Sequence, residues 1–160
     1  MLVVFFLIVI YTDWRWQRIY NALTYPVMLI GLVFGALEGF PGELFAKGFI
    51  DHLVALVAAF AFTYPVYAIG GGLKAGDAKY LMAVGALRGT GFLLASTVYG
   101  ALLGGLAAVG IIVYRLFIRR GSSTLQQALK SFMPYGVALA FGGLIAAGLE
   151  LAGVITLGFA

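Results

Sequence analysis

Six apolar stretches, parted by short polar or Gly/Pro breaks, run through almost the whole 160-residue chain, and nothing else restricts its fold as strongly. A bilayer core about 30 Å thick needs about 20 helical residues at 1.5 Å each. The candidate spans lie near 1–13, 22–40, 47–69, 77–88, 91–118 and 134–158, with breaks at 13–21, 40–43, 70–72, 88–91 and 119–134. Lipid offers no partner to an open strand edge, and the alternation of a β-barrel is missing, so every span is expected to be a helix. The expected fold is therefore all-α, a polytopic membrane bundle of six transmembrane helices forming one domain over 1–160. Composition agrees: 63% of residues are hydrophobic and 10% charged, where a soluble domain carries about a quarter charged. Because the apolar residues spread along the chain, a soluble domain on a single anchor is excluded too.

Other classes fall with the same arithmetic. With no cysteine, the chain has no disulfide, no thiolate zinc site and no cysteine nucleophile, and one histidine leaves little for a histidine-rich metal site. The net charge of +4 is accounted for by topology, so no nucleic acid is expected as a partner. The N-terminal stretch lacks a basic leader region and a small-residue cleavage site, so it is read as a retained helix. Loops one, three and five hold Arg15, Arg18, Lys74, Lys79, Arg115, Arg119, Arg120 and Lys130, against Lys47 and Arg88 in loops two and four. That bias puts the odd loops in the cytoplasm and both termini outside. Glycines four apart (Gly31/Gly35/Gly39, Gly85/Gly89 and Gly100/Gly104) allow close helix packing.

Two carboxylates carry the chemistry. Asp13 lies in Asp13-Trp14-Arg15-Trp16-Gln17-Arg18-Ile19-Tyr20-Asn21, and Asp77 follows Gly70-Gly71-Gly72-Leu73-Lys74-Ala75-Gly76. Each lies twelve steps, about 18 Å, from the outer end of its short helix. Both would then stand roughly 12 Å beneath the inner interface of a 30 Å core and share a level. Ionisable groups at that depth are expensive and mark functional sites. A pair that shares one proton can activate water with one member and polarise a carbonyl with the other, with no cofactor or metal. Structural roles stand beside this reading. Asp77 can be an N-cap after a glycine-rich turn, and Asp13 an interfacial partner of Arg15 or Arg18 within a Trp14/Trp16 belt.

These residues resemble the type IV prepilin peptidases, the aspartic leader peptidases of pilus and type II secretion systems. The family's first motif, Asp-x-Arg-x-x-x-Ile-Pro-Asn-x-x-Thr, corresponds to Asp13, Arg15, Ile19, Tyr20, Asn21 and Thr24, with Tyr20 in place of proline. Its second, Gly-x-Gly-Asp-x-Lys, corresponds to Lys74, Ala75, Gly76, Asp77, Ala78 and Lys79, with Lys74 in place of the first glycine. Pro134-Tyr135-Gly136 is similar to the opening of the family's last helix. The resemblance implies an intramembrane aspartic endopeptidase with Asp13 and Asp77 as catalytic pair. Its substrate would be a prepilin or pseudopilin precursor, cut behind its basic leader at the cytoplasmic face of the inner membrane, with the apolar stem entering from the lipid. Lacking the cysteine-bearing insert of longer members, the chain resembles the short, peptidase-only form that serves tight-adherence pili. Neither zinc nor N-methylation is expected.

Among supporting residues, Asn21 is expected to cap the second span, Gly76 to permit a backbone turn before Asp77, and Lys79 to be a cytoplasmic charge within reach of substrate or lipid. Glu38, Glu43, Asp51, His52 and Glu150 are expected at the outer rim, and 121–132 as a helix lying on the membrane. The rival readings are a small proton- or ion-coupled transporter using buried carboxylates and a non-enzymatic membrane subunit.

Overall fold

The computed structural model describes residues 1–42, 48–69, 73–117 and 135–155. They form five helices and, among the described residues, no strand: α1 (Leu2–Trp16), α2 (Asn21–Glu38), α3 (Phe49–Ala68), α4 (Ala75–Phe117) and α5 (Tyr135–Leu151). The all-α expectation holds. Among the described residues, three segments are long and apolar enough to cross a membrane, namely α2, α3 and the 75–110 part of α4. With 15 residues in α1 and 17 in α5, these two fall short of that length, so the structure does not show the six crossings expected from the sequence. The last expected span extends past the described residues at both ends, while Glu43 and the proposed surface helix at 121–132 lie outside them.

The fourth and fifth expected spans form one element, α4, broken at the anticipated place. Gly89 has φ 77° and ψ −175°, a combination essentially confined to glycine. The chain doubles back there. Tyr80 donates its hydroxyl hydrogen to the Leu139 carbonyl at 3.2 Å, and Gly100 packs against the backbone of the same residue. Twenty residues of straight helix would separate those positions by about 30 Å. Limbs 75–88 and 90–117 are thus antiparallel and flank α5. The bend is fastened from α3, because Asp51 accepts the Thr90 backbone N–H at 3.2 Å and the Thr90 hydroxyl.

Packing centres on α4, which lies against α2, α3 and α5, while α1 packs on α5 and α2 on α3. Phe6, Tyr80, Val84 and Phe92 are fully enclosed, with the Phe6 ring 5.9 Å from Tyr80 and 6.5 Å from Phe92. Backbones approach where the sequence supplies small residues: Gly31 meets Ala86, Gly85 meets Ala55, and Gly142 meets Gly100. A methyl group at any of these would strike main chain, which cannot yield as a side chain does.

This arrangement sorts the polar residues to two ends. One end gathers Glu38, Asp51, His52, Arg88 and Glu150. Asp51 and His52 are buried, correcting their expected place on the rim. The His52 Nδ1 lies 2.8 Å from the Ala86 carbonyl and 3.1 Å from that of Gly31, so this nitrogen carries the hydrogen. Its Nε2 is 3.4 Å from Glu38, and Arg88 pairs with Glu150. The opposite end holds Asp13 and Asp77.

Candidate active site

Asp13 and Asp77, 64 positions apart in the chain, line one cavity of about 600 Å³. They are 3% and 2% exposed and close enough to interact electrostatically. Asp13 lies one turn before the end of α1, where Gln17 turns left-handed (φ 52°) and its N–H closes onto the Asp13 carbonyl at 2.9 Å. Asp77 lies in the first turn of α4.

Each carboxylate is held by a helix start. Oδ2 of Asp13 accepts the Val137 N–H at 3.1 Å, at the N-terminus of α5. Unsatisfied N–H groups and the positive end of the helix dipole converge there, a natural seat for an anion. Gly136 makes the approach possible, since a Cβ on it would stand 2.8 Å from Asp13 Oδ2. Oδ2 of Asp77 accepts the Lys74 N–H at 3.0 Å, the acidic half of a capping box. Asp77 therefore occupies the third helical position instead of the N-cap considered from sequence. The Gly136 N–H, beside that of Val137, also bonds the Asp13 carboxylate.

The supporting residues are present, with altered roles. Asn21 is not the cap of α2. Tyr20 holds that position, its carbonyl accepting from Leu23 at 3.0 Å and Thr24 at 3.2 Å. The Asn21 Oδ1 instead accepts from Lys79 Nζ at 2.7 Å. That bond ties the loop after α1 to the limb carrying Asp77, and the Lys79 ammonium also lies 5.6 Å over the Tyr25 ring. Gly76 is helical and makes no special turn. Its role is close contact, since an added Cβ would meet Ile19 Cβ at 3.3 Å. Ile19 of the first motif thereby packs on Gly76, the residue preceding Asp77.

Gln17, Arg18, Ile19, Tyr20, Ala22 and Lys74 complete much of the wall, and Lys74 is within electrostatic reach of both carboxylates. The grip of α5 on Asp13 was not legible beforehand. Its only trace was Tyr135-Gly136 in the chain's last apolar run. Among the described residues, no cluster of His, Asp and Glu has the makings of a metal site. A buried pair of carboxylates in a cavity roomy enough for water and a peptide segment, beside cations, can exchange protons with water and with a bound amide.

No curated protein and no solved structure matches the chain. The sequence profile of the type IV leader peptidase family does match, over residues 1–109, which include both aspartates and the bend at Gly89, and the chain belongs to that family.

Proposed function

We propose that the chain is an intramembrane aspartic endopeptidase that removes the leader of prepilin-like precursors, with Asp13 and Asp77 as its catalytic pair. The observation that carries this reading is the convergence of two buried carboxylates on one cavity, each anchored by backbone N–H at a helix start.

The ionised member takes a proton from water as the water oxygen attacks the scissile carbonyl carbon. The protonated member meanwhile donates a hydrogen bond to the carbonyl oxygen. When the tetrahedral intermediate collapses, the C–N bond breaks and the first carboxyl returns its proton to the departing amine. No metal or organic cofactor enters this scheme. Backbone anchoring from Val137 and Lys74 keeps the carboxylates in place between steps, so little reorganisation accompanies the transfer.

Depth supports the same reading. With 15 residues α1 spans about 22 Å and limb 75–88 about 21 Å, both less than a core of about 30 Å. In a six-crossing arrangement the cavity is then recessed below the interface. Arg15, Arg18, Lys74 and Lys79 belong to this end, and the positive-inside bias turns it to the cytoplasm. The substrate is a membrane-embedded pilin or pseudopilin precursor whose basic leader lies on that side.

The test is cleavage of prepilin-like substrates by purified protein. Asp13→Asn and Asp77→Asn should each abolish product while leaving insertion and thermal stability close to wild type. A variant that retains near-normal turnover would refute the pair. Ion flux in liposomes without proteolysis would support the transporter reading instead.

A further inference from the structure

A second cavity, about 320 Å³ and almost wholly apolar, lies between α2, α3 and the first limb of α4. Tyr25, Phe60, Tyr64 and Tyr67 form its rim, and Met28 and Met82 lie deeper. The rim rings are about half exposed, at 49%, 47%, 54% and 48%, although core aromatics elsewhere in the chain are fully enclosed. Two of its lining residues, Ala75 and Lys79, also line the carboxylate cavity. On α4, Ala75, Ala78 and Met82 recur at helical spacing along the groove, while Gly76 and Asp77 face the polar cavity. A single trough thus passes from two carboxylates and several cations to an apolar channel, across one turn of helix.

We infer that this groove receives the apolar segment of the substrate immediately beyond the scissile bond, and so is the enzyme's specificity surface; the inference rests on the leader-peptidase reading above. Any apolar face in a membrane can contact lipid. What distinguishes this one is its continuity with the site of chemistry, which suits a chain polar at the cut and apolar beyond it. The volume is at the small end for a ligand pocket, about 300–1,000 Å³. It suits a few side chains of an apolar segment, the anchoring seen when a helix lies in a groove. Methionines at its base adapt to different side-chain shapes, so the groove reads apolarity and bulk more than one sequence. Lys79 stands at the junction of the two cavities, held by Asn21, where the substrate would change from polar to apolar.

The experiment compares two substrates in detergent: a full precursor with its apolar stem, and a short peptide covering only the leader and the cut. Met82→Trp fills the groove and should raise KM for the precursor by at least roughly tenfold relative to its effect on the short peptide, the cost of losing burial of one large apolar side chain. Leu106→Trp, on an exposed part of the second limb, should alter neither. As a measurement independent of filling the interior, a photoreactive phenylalanine analogue at exposed position 60, combined with Asp77→Asn, should crosslink to the precursor stem. Equal effects of Met82→Trp on both substrates, or crosslinking to lipid or a second copy in place of precursor, would overturn the assignment. If Asp77→Asn still cleaves the precursor, the catalytic reading fails instead. If Asp77→Asn is inactive and the two substrates respond alike to Met82→Trp, only the groove assignment fails.

Discussion

Gly136→Ala isolates the contribution of α5 to the candidate site. The added Cβ would stand 2.8 Å from Asp13 Oδ2, 2.9 Å from its Cγ and 3.1 Å from Ile19 Cδ1. Comfortable separations are about 3.5 Å or more, so the carboxylate must withdraw by roughly 0.5–1 Å. Withdrawal stretches its 3.1 Å bond from Val137 N–H. A hydrogen bond to a charged group contributes about 1.5–3 kcal/mol, and alanine returns up to about 1 kcal/mol over glycine within a helix. The net destabilisation should be roughly 1–2 kcal/mol, too little to unfold the protein. Catalysis should suffer more, because misplacing a reacting group by about 1 Å costs on the order of 10²-fold. The assay pairs kcat for leader cleavage with a thermal unfolding scan on the same preparation. Gly105→Ala is the control: nothing lies within 4 Å of its added Cβ, so the rate should hold and stability should rise by at most about 1 kcal/mol. Wild-type kcat in Gly136→Ala would show that Asp13 does not need this anchorage.

Two further outcomes follow from the fold. Gly89→Ala places a side chain at φ 77° and ψ −175° and against the Asp51 carboxylate, and should cost about 1–3 kcal/mol, read as a lowered unfolding midpoint in detergent. An unchanged midpoint would mean the bend does not depend on glycine. The chain has no native cysteine, so single cysteines report topology directly. Lys74→Cys in sealed cells should resist an impermeant thiol reagent that modifies Arg88→Cys, and the reverse pattern would invert the proposed orientation.

The helical class of this chain was settled by its sequence, because an apolar chain in lipid must satisfy its backbone within helices. The two acids were legible as well. Asp13 and Asp77 stood out since ionisable groups are costly among apolar residues, and the surrounding residues matched two motifs of one family. Partner choice was not legible. Asn21 is a favoured cap by local chemistry, yet its carbonyl oxygen meets Lys79, 58 residues away, while Tyr20 begins the helix. Asp51 and His52 looked like rim residues by hydropathy alone, but they fasten the Gly89 bend and bond α2 to α4. The reason is common to all of these. Apolarity and backbone satisfaction act on each segment separately, so sequence determines them. A hydrogen bond between distant segments exists only after antiparallel limbs and helix ends have been brought into register, and that register belongs to the tertiary structure.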